Sequence, residues 1–125
     1  MLKCLLVACS LFAAAPALAQ HAHGAQKGPN GGPMEDIAGV HAELVVAGDS
    51  LTFHVLDEAG KPVDTTGFTG SAMLVSGPDR KTIQLAAGGP ALVGKAPAPV
   101  ANGSAITLLI RTAAGKSGQA KFTAP

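Results

Sequence analysis

Aromatic and charged side chains are scarce in this chain of 125 residues. It has no tryptophan, no tyrosine and four phenylalanines, and 14% of its residues are charged. It also lacks a nucleophile-elbow motif and a glycine-rich phosphate loop followed by a helix. These absences leave little from which to build a catalytic pocket, so we expect a protein that is not an enzyme.

Cysteine is absent after residue 9, and both cysteines fall in a segment with the pattern of a secretory signal peptide (residues 1–19). Lys3 supplies the positive start, residues 5–15 are an apolar run, and residues 17–19 (Ala-Leu-Ala) suit a signal peptidase. Cleavage after Ala19 removes every thiol, which excludes a disulfide scaffold and a thiolate zinc site. We expect a periplasmic protein with no membrane span after cleavage and no lipid anchor at Cys9, because only about five apolar residues precede that cysteine.

Net charge is also missing once the signal peptide is removed. The remaining chain carries eight basic and eight acidic side chains. A neutral chain with so few charges has no electrostatic hold on a phosphate backbone or an anionic membrane. We therefore expect no nucleic-acid partner.

Glycine and proline are abundant after residue 19, and they divide the chain in a way that predicts an all-β fold. Residues 20–35 are rich in glycine and polar residues and offer little to bury, which predicts a flexible tail. Residues 36–125 consist of short β-type runs separated by turn residues, without a helical apolar period. We predict a small antiparallel β-sandwich of about seven strands, at residues 40–47, 51–57, 72–76, 82–86, 91–94, 104–111 and 119–123.

The first predicted hairpin brings candidate metal ligands together. Gly48-Asp49 fits a two-residue type II′ turn, which pairs Glu43 with His54. Because side chains alternate along a strand, His41, Glu43 and His54 are expected on one outer face, opposite the core side. Cross-strand neighbours lie about 4.5–5.5 Å apart at Cβ, close enough to share a ligand.

Imidazole nitrogens and a carboxylate form a ligand set that suits Zn, Cu, Ni or Co ions. Two further histidines, His21 and His23, stand in the predicted tail, and residues 34–36 (Met-Glu-Asp) add a thioether and two carboxylates nearby. Two alternatives stay open. The tail histidines bind nothing, or Glu43 and His54 form only an exposed pair that contributes under ~1 kcal/mol.

The segment 28–32 (Gly-Pro-Asn-Gly-Gly) followed by residues 41–45 (His-Ala-Glu-Leu-Val) resembles a small periplasmic domain. That domain occurs alone or near the N-terminus of periplasmic adaptor subunits of heavy-metal efflux pumps, of the cobalt–zinc–cadmium and copper type. Residues 57–64, 92–95 and 119–122 are similar to the same pattern. The resemblance implies a β-sandwich that meets metal ions or a partner protein. It supports His41 and Glu43 more than His54, which stands where such domains often have a bulky apolar residue.

We therefore predict a non-catalytic exported protein that binds or hands over a transition-metal ion, with a link to heavy-metal efflux or resistance. Its expected partners are the metal ion and a metal-efflux adaptor or another periplasmic protein. The alternative is a periplasmic protein–protein interaction module with no metal role.

Overall fold

A computed structural model of the protein describes residues 26–125. The predicted signal peptide (residues 1–19), the start of the predicted tail (residues 20–25), and with it His21 and His23, lie outside the described residues.

The described residues form nine β-strands joined by turns. All neighbouring strands are antiparallel, and their order across the sheet is β1-β2-β3-β4-β7-β6-β5-β8-β9. Within residues 26–125 there is no helix with the length and apolar character needed to cross a membrane. The strands are β1 (Gln26–Lys27), β2 (Pro33–Ile37), β3 (Val40–Ala47), β4 (Ser50–Leu56), β5 (Thr69–Ser76), β6 (Asp79–Gly88), β7 (Ala91–Lys95), β8 (Ala105–Arg111) and β9 (Ser117–Thr123).

The prediction of an all-β antiparallel fold is confirmed, and each of the seven predicted strands has a counterpart among β3 to β9. The structure adds two strands within the segment whose composition predicts a flexible tail. Residues 26–35 form β1, the following turn and part of β2. β2 pairs with β3 in the register Asp36↔His41. Backbone pairing with an established strand therefore gives this glycine-rich segment its order, which its own composition does not signal.

The strands form one curled sheet rather than the two separate sheets of the predicted sandwich. The reason is the length of β6, whose first part pairs with β5 up to Leu85 and whose last three residues pair with β7. One strand thus belongs to both halves of the sheet and joins them. At the open side, β2 packs against β9 without ladder pairing.

The core lies inside this curl and is built mainly by alternation along the strands. Leu44 and Phe53 are fully buried on one half of the sheet, and Ile106 and Leu108 are fully buried on the other. The two halves meet where the rings of Phe53 and Phe122 pack edge to face, with centroids 5.5 Å apart. Such a ring pair contributes about 0.5–1.5 kcal/mol beyond the area it buries.

The register predicted for the first hairpin is confirmed. β3 and β4 pair Leu44 with Phe53 and Glu43 with His54, around a two-residue turn at Gly48 and Asp49. Gly48 has a φ of +61° and Asp49 does not share the positive φ, as a type II′ turn requires. Leu44 therefore points into the core, while Glu43 and His41 point to the outer face.

Candidate functional site

The loop between β1 and β2 (residues 28–32) folds over the side chain of Glu43. The Glu43 carboxylate accepts hydrogen bonds from the backbone N–H of Asn30 at 2.8 Å and from that of Gly32 at 2.8 Å. It also accepts one from the Asn30 amide Nδ2 at 3.0 Å. We call this loop together with Glu43 the Glu43 clasp. Glu43 has no exposed surface. The hydrogen bonds of the clasp compensate the carboxylate for the water that it loses on burial.

The glycines of the clasp are required by close approach. A Cβ atom on Gly28 would lie 2.2 Å from the Glu43 Cδ, and one on Gly32 would lie 2.0 Å from the carbonyl oxygen of Leu44. Gly31 has a φ of +79°, a conformation that side chains disfavour. The segment that composition marks only as turn material is therefore a fitted cover for one buried carboxylate.

Glu43 does not take the place predicted for it as an exposed metal ligand. It lies on the outer face opposite His54, as the register predicts, but the loop covers it. Both carboxylate oxygens already accept hydrogen bonds from the clasp. Coordination of a metal would require the loop to open, so we assign Glu43 a structural role.

His41 lies beside a groove of about 450 Å³ at the end of β3 and β4. Its Nδ1 atom is buried and contacts the carboxylate of Asp36, the cross-strand neighbour of His41 on β2. The His41 side chain is 23% exposed and that of Asp36 is 80% exposed. This contact lacks the geometry of a hydrogen bond, so Nδ1 has no hydrogen-bond partner among the described residues. A rotation of the exposed Asp36 side chain would let Nδ1–H donate to the carboxylate and leave the lone pair on Nε2, the arrangement typical of metal-binding histidines.

The groove beside His41 is lined by groups from three segments. Met34 comes from β2, Gln26 from β1, and Asp57 and Glu58 from the turn after β4. A smaller groove of about 140 Å³ on the other side of His41 is lined in part by Asp36 and Glu58. Asp57 and Glu58 were not among the predicted site residues, although the pairing of His41 with Leu56 already placed them next to the imidazole.

The other predicted ligands are not gathered around His41. His54 is half-buried on β4 opposite Glu43 and lines neither groove. Glu35 alternates with Met34 and Asp36, so it projects to the opposite side of β2. Within residues 26–125, no group of three or more His, Cys, Asp or Glu side chains converges on one point where a metal ion could be held.

One carboxyl group of the described chain has a shifted pKa, and it lies away from these grooves. The backbone N–H of Thr66 donates to Asp64 at 2.9 Å, and the Thr66 hydroxyl donates at 2.8 Å. These bonds stabilise the charged form and lower the pKa of Asp64 below its usual 3.8. Asp64 therefore stays ionised in a local turn and takes no part in the site.

Comparisons with protein-family models, with curated proteins and with solved structures give no match to this chain.

Proposed function

We propose that this chain is an exported, non-catalytic protein that binds a transition-metal ion at the groove beside His41. The observation that carries the proposal is the contact between His41 Nδ1 and the Asp36 carboxylate. A carboxylate on one ring nitrogen fixes the tautomer, orients the ring and raises the basicity of the other nitrogen. Nε2 is then a prepared ligand for Zn²⁺, Cu²⁺, Ni²⁺ or Co²⁺.

The surroundings of His41 favour a cation. Asp36, Asp57 and Glu58 border the two grooves, and their negative charges raise the local concentration of metal ions. The Met34 thioether lines the same groove and adds a soft donor. Thioether sulfur favours Cu⁺ over Zn²⁺. His41 is the one imidazole among these groups, so it is the expected primary ligand from the folded domain.

The N-terminal histidines complete the proposed ligand set. His23 precedes Gln26, a residue of the groove lining, by three positions in the chain. Three residues span at most about 11 Å and five at most about 18 Å, so the chain length between these histidines and Gln26 is short enough to allow them to serve as further ligands. A domain ligand and two tethered imidazoles form a nitrogen-rich site without Glu43 or His54.

Export to the periplasm and a link to heavy-metal efflux belong to the same proposal. The signal-peptide pattern of residues 1–19 supports export. The resemblance of residues 28–32 and 41–45 to a domain of metal-efflux adaptors supports the link to efflux.

Calorimetric titration of Zn²⁺, Cu²⁺ and Ni²⁺ into the purified mature protein tests the proposal. We expect His41→Ala to weaken binding of the preferred ion by at least about tenfold, and Asp36→Asn to weaken it by about tenfold, because it loses the partner of Nδ1. His54→Ala is the matched control, since it removes an imidazole from the same outer face, and we expect it to leave the affinity unchanged. Binding should weaken below about pH 6, where imidazoles gain a proton.

Two results would contradict the proposed site. Equal affinities of the wild type and His41→Ala would show that the groove does not hold the ion. Complete loss of binding in a His21→Ala, His23→Ala double variant, with no effect of His41→Ala, would place the site in the N-terminal segment alone.

A further inference from the structure

The outer surface of β5, β6, β8 and β9 carries basic side chains and no acidic ones. Its residues alternate with the buried Ile106, Leu108 and Ile110, and the register aligns them in rows across the four strands. Arg80, Arg111 and Lys121 are its charged members, and they project from β6, β8 and β9. The remaining outward positions hold Ser, Thr, Gln, Ala, Val, Met and Leu. We call this surface the cationic face.

The cationic face has a small apolar patch at its centre. Leu109 is 40% exposed near its centre, diagonal to the half-buried Met73 in the next row of outward residues. Arg111 borders a shallow groove of about 340 Å³ that is lined by Ser71 and Gln84. An apolar centre with a charged and hydrogen-bonding rim is the usual anatomy of a protein–protein contact.

The charges of the chain are separated between the two halves of the fold. Strands β1 to β4 and β7 with their turns (residues 26–64 and 91–95) contain seven acidic side chains and three basic ones. Strands β5, β6, β8 and β9 with their turns (residues 69–88 and 105–123) contain one acidic side chain and five basic ones. The net charge after residue 19 is therefore zero because the charges of two oppositely charged surfaces cancel. The negative surface, called here the acidic end, consists of Asp36, Asp57 and Glu58 around His41, with one cation, Lys116, beside Gly39 at its border.

We infer that the cationic face docks onto the acidic end of a second copy of this chain. A symmetric pairing of two cationic faces would bring the cations of one copy against those of the other, and like charges repel. These cations are Arg80, Arg111 and Lys121. Pairing the face with the acidic end brings opposite charges together, and this complementarity is present within the one sequence. The contact is head-to-tail, so each copy binds one neighbour through its cationic face and another through its acidic end.

Other occupants of the cationic face fit it less well. Arg111 and Lys121 lie two rows apart on neighbouring strands, roughly 14 Å from each other. The face carries no aromatic ring for base stacking, and three cations neutralise too few phosphates to hold a nucleic acid tightly. Three dispersed cations, each contributing about 1 kcal/mol, also hold an anionic membrane only weakly.

The size of the face predicts a weak and salt-sensitive association. Four strands about 4.8 Å apart and seven residues about 3.4 Å apart cover roughly 450 Å². A stable complex usually buries about 800 Å² per partner. The copies are therefore expected to associate reversibly at high concentration, chiefly through charge.

Sedimentation velocity of the mature protein with a chelator present tests this inference apart from metal binding. In about 0.01 M salt, where charges act over about 30 Å, the weight-average sedimentation coefficient should rise with protein concentration. In about 1 M salt the apparent dissociation constant should increase at least tenfold. An association driven by apolar contacts would instead persist or strengthen in high salt, and that result would overturn the inference.

Two charge-neutralised variants test the head-to-tail geometry. A face variant (Arg111→Gln with Lys121→Gln) and an end variant (Asp36→Asn with Glu58→Gln) should each be monomeric alone. Mixed in equal amounts, they should form a 1:1 dimer that grows no further, because one intact face meets one intact end. Lys95→Gln, which removes a cation from the other half of the sheet, is the control and should associate like the wild type. A monomeric wild type in low salt, or no dimer in the mixture, would overturn the inference, whether or not the protein binds anionic vesicles.

Discussion

Replacing Glu43 by alanine is expected to lower the free energy of unfolding by about 2–4 kcal/mol. The carboxylate is fully buried, and it is the acceptor for the N–H groups of Asn30 and Gly32 and for the Asn30 side-chain amide. Its removal leaves these donors without a partner beneath the loop, and an unsatisfied buried donor costs about 1–3 kcal/mol. Urea unfolding followed by circular dichroism measures the difference.

Two variants calibrate this result. Glu43→Gln keeps the shape of the side chain but turns one acceptor oxygen into an NH₂ group that faces donors, so we expect a loss of about 1–3 kcal/mol. Glu58→Gln alters an exposed glutamate of the nearby turn, and its effect should stay within about 0.5 kcal/mol. Wild-type stability of Glu43→Ala would refute the clasp, since the donors would then have found other partners at no cost.

Replacing Gly32 by alanine is expected to destabilise the fold by about 3 kcal/mol, although only one methyl group is added. The new Cβ would stand 2.0 Å from the carbonyl oxygen of Leu44, and a backbone atom in a central strand cannot move aside as a flexible side chain can. The loop must therefore shift, and it then loses the bond from the Gly32 N–H to Glu43.

Gly88→Ala is the matched control for this substitution. Gly88 also has an ordinary φ, and a Cβ atom there would have no neighbour within 4 Å. It should leave stability unchanged or raise it slightly, because alanine restricts the unfolded chain more than glycine does. Similar midpoints of urea unfolding for the two alanine variants would show that β1 and its loop do not pack on β3 as described.

The clasp also bears on the proposed metal site. It holds the loop against Glu43, and Pro29 of that loop lines the groove beside His41 together with Gln26. Gln26, the first described residue, therefore lies at the groove. In the proposed function, Glu43 would support the site by holding the loop at residues 28–32 in place, a different role from the ligand role that the sequence predicts for it.

Local patterns are sufficient to predict most of the fold. Alternating apolar residues around the Gly48-Asp49 turn give the β3–β4 register, including the pairing of Glu43 with His54. β2 was not predicted because its turn into β3 uses Ala38 with a φ of +49°, a conformation that alanine rarely adopts and that no sequence rule signals. The joining of both halves through β6 was also not predictable, since a strand's length does not state which neighbours it pairs with.

The candidate site was only partly predictable, for a related reason. Alternation correctly places His41 and Glu43 on the outer face of the hairpin, because that depends on neighbouring residues alone. Whether the outer face meets water depends on what folds over it, here a loop 11 to 13 residues earlier in the chain. The same tertiary packing brings Asp36 to His41 and sets Asp57 and Glu58 at the groove.

The sequence by itself determined that this is an antiparallel β protein, where most of its strands run and which side of each strand faces the core. These features follow from turn chemistry and from the two-residue period of a strand, which act over a few residues. Only the tertiary structure decided that Glu43 is covered and satisfied while His41 stays accessible beside a carboxylate. Solvent access and hydrogen-bond partners are properties of segments that meet in space, and a one-dimensional pattern does not contain them.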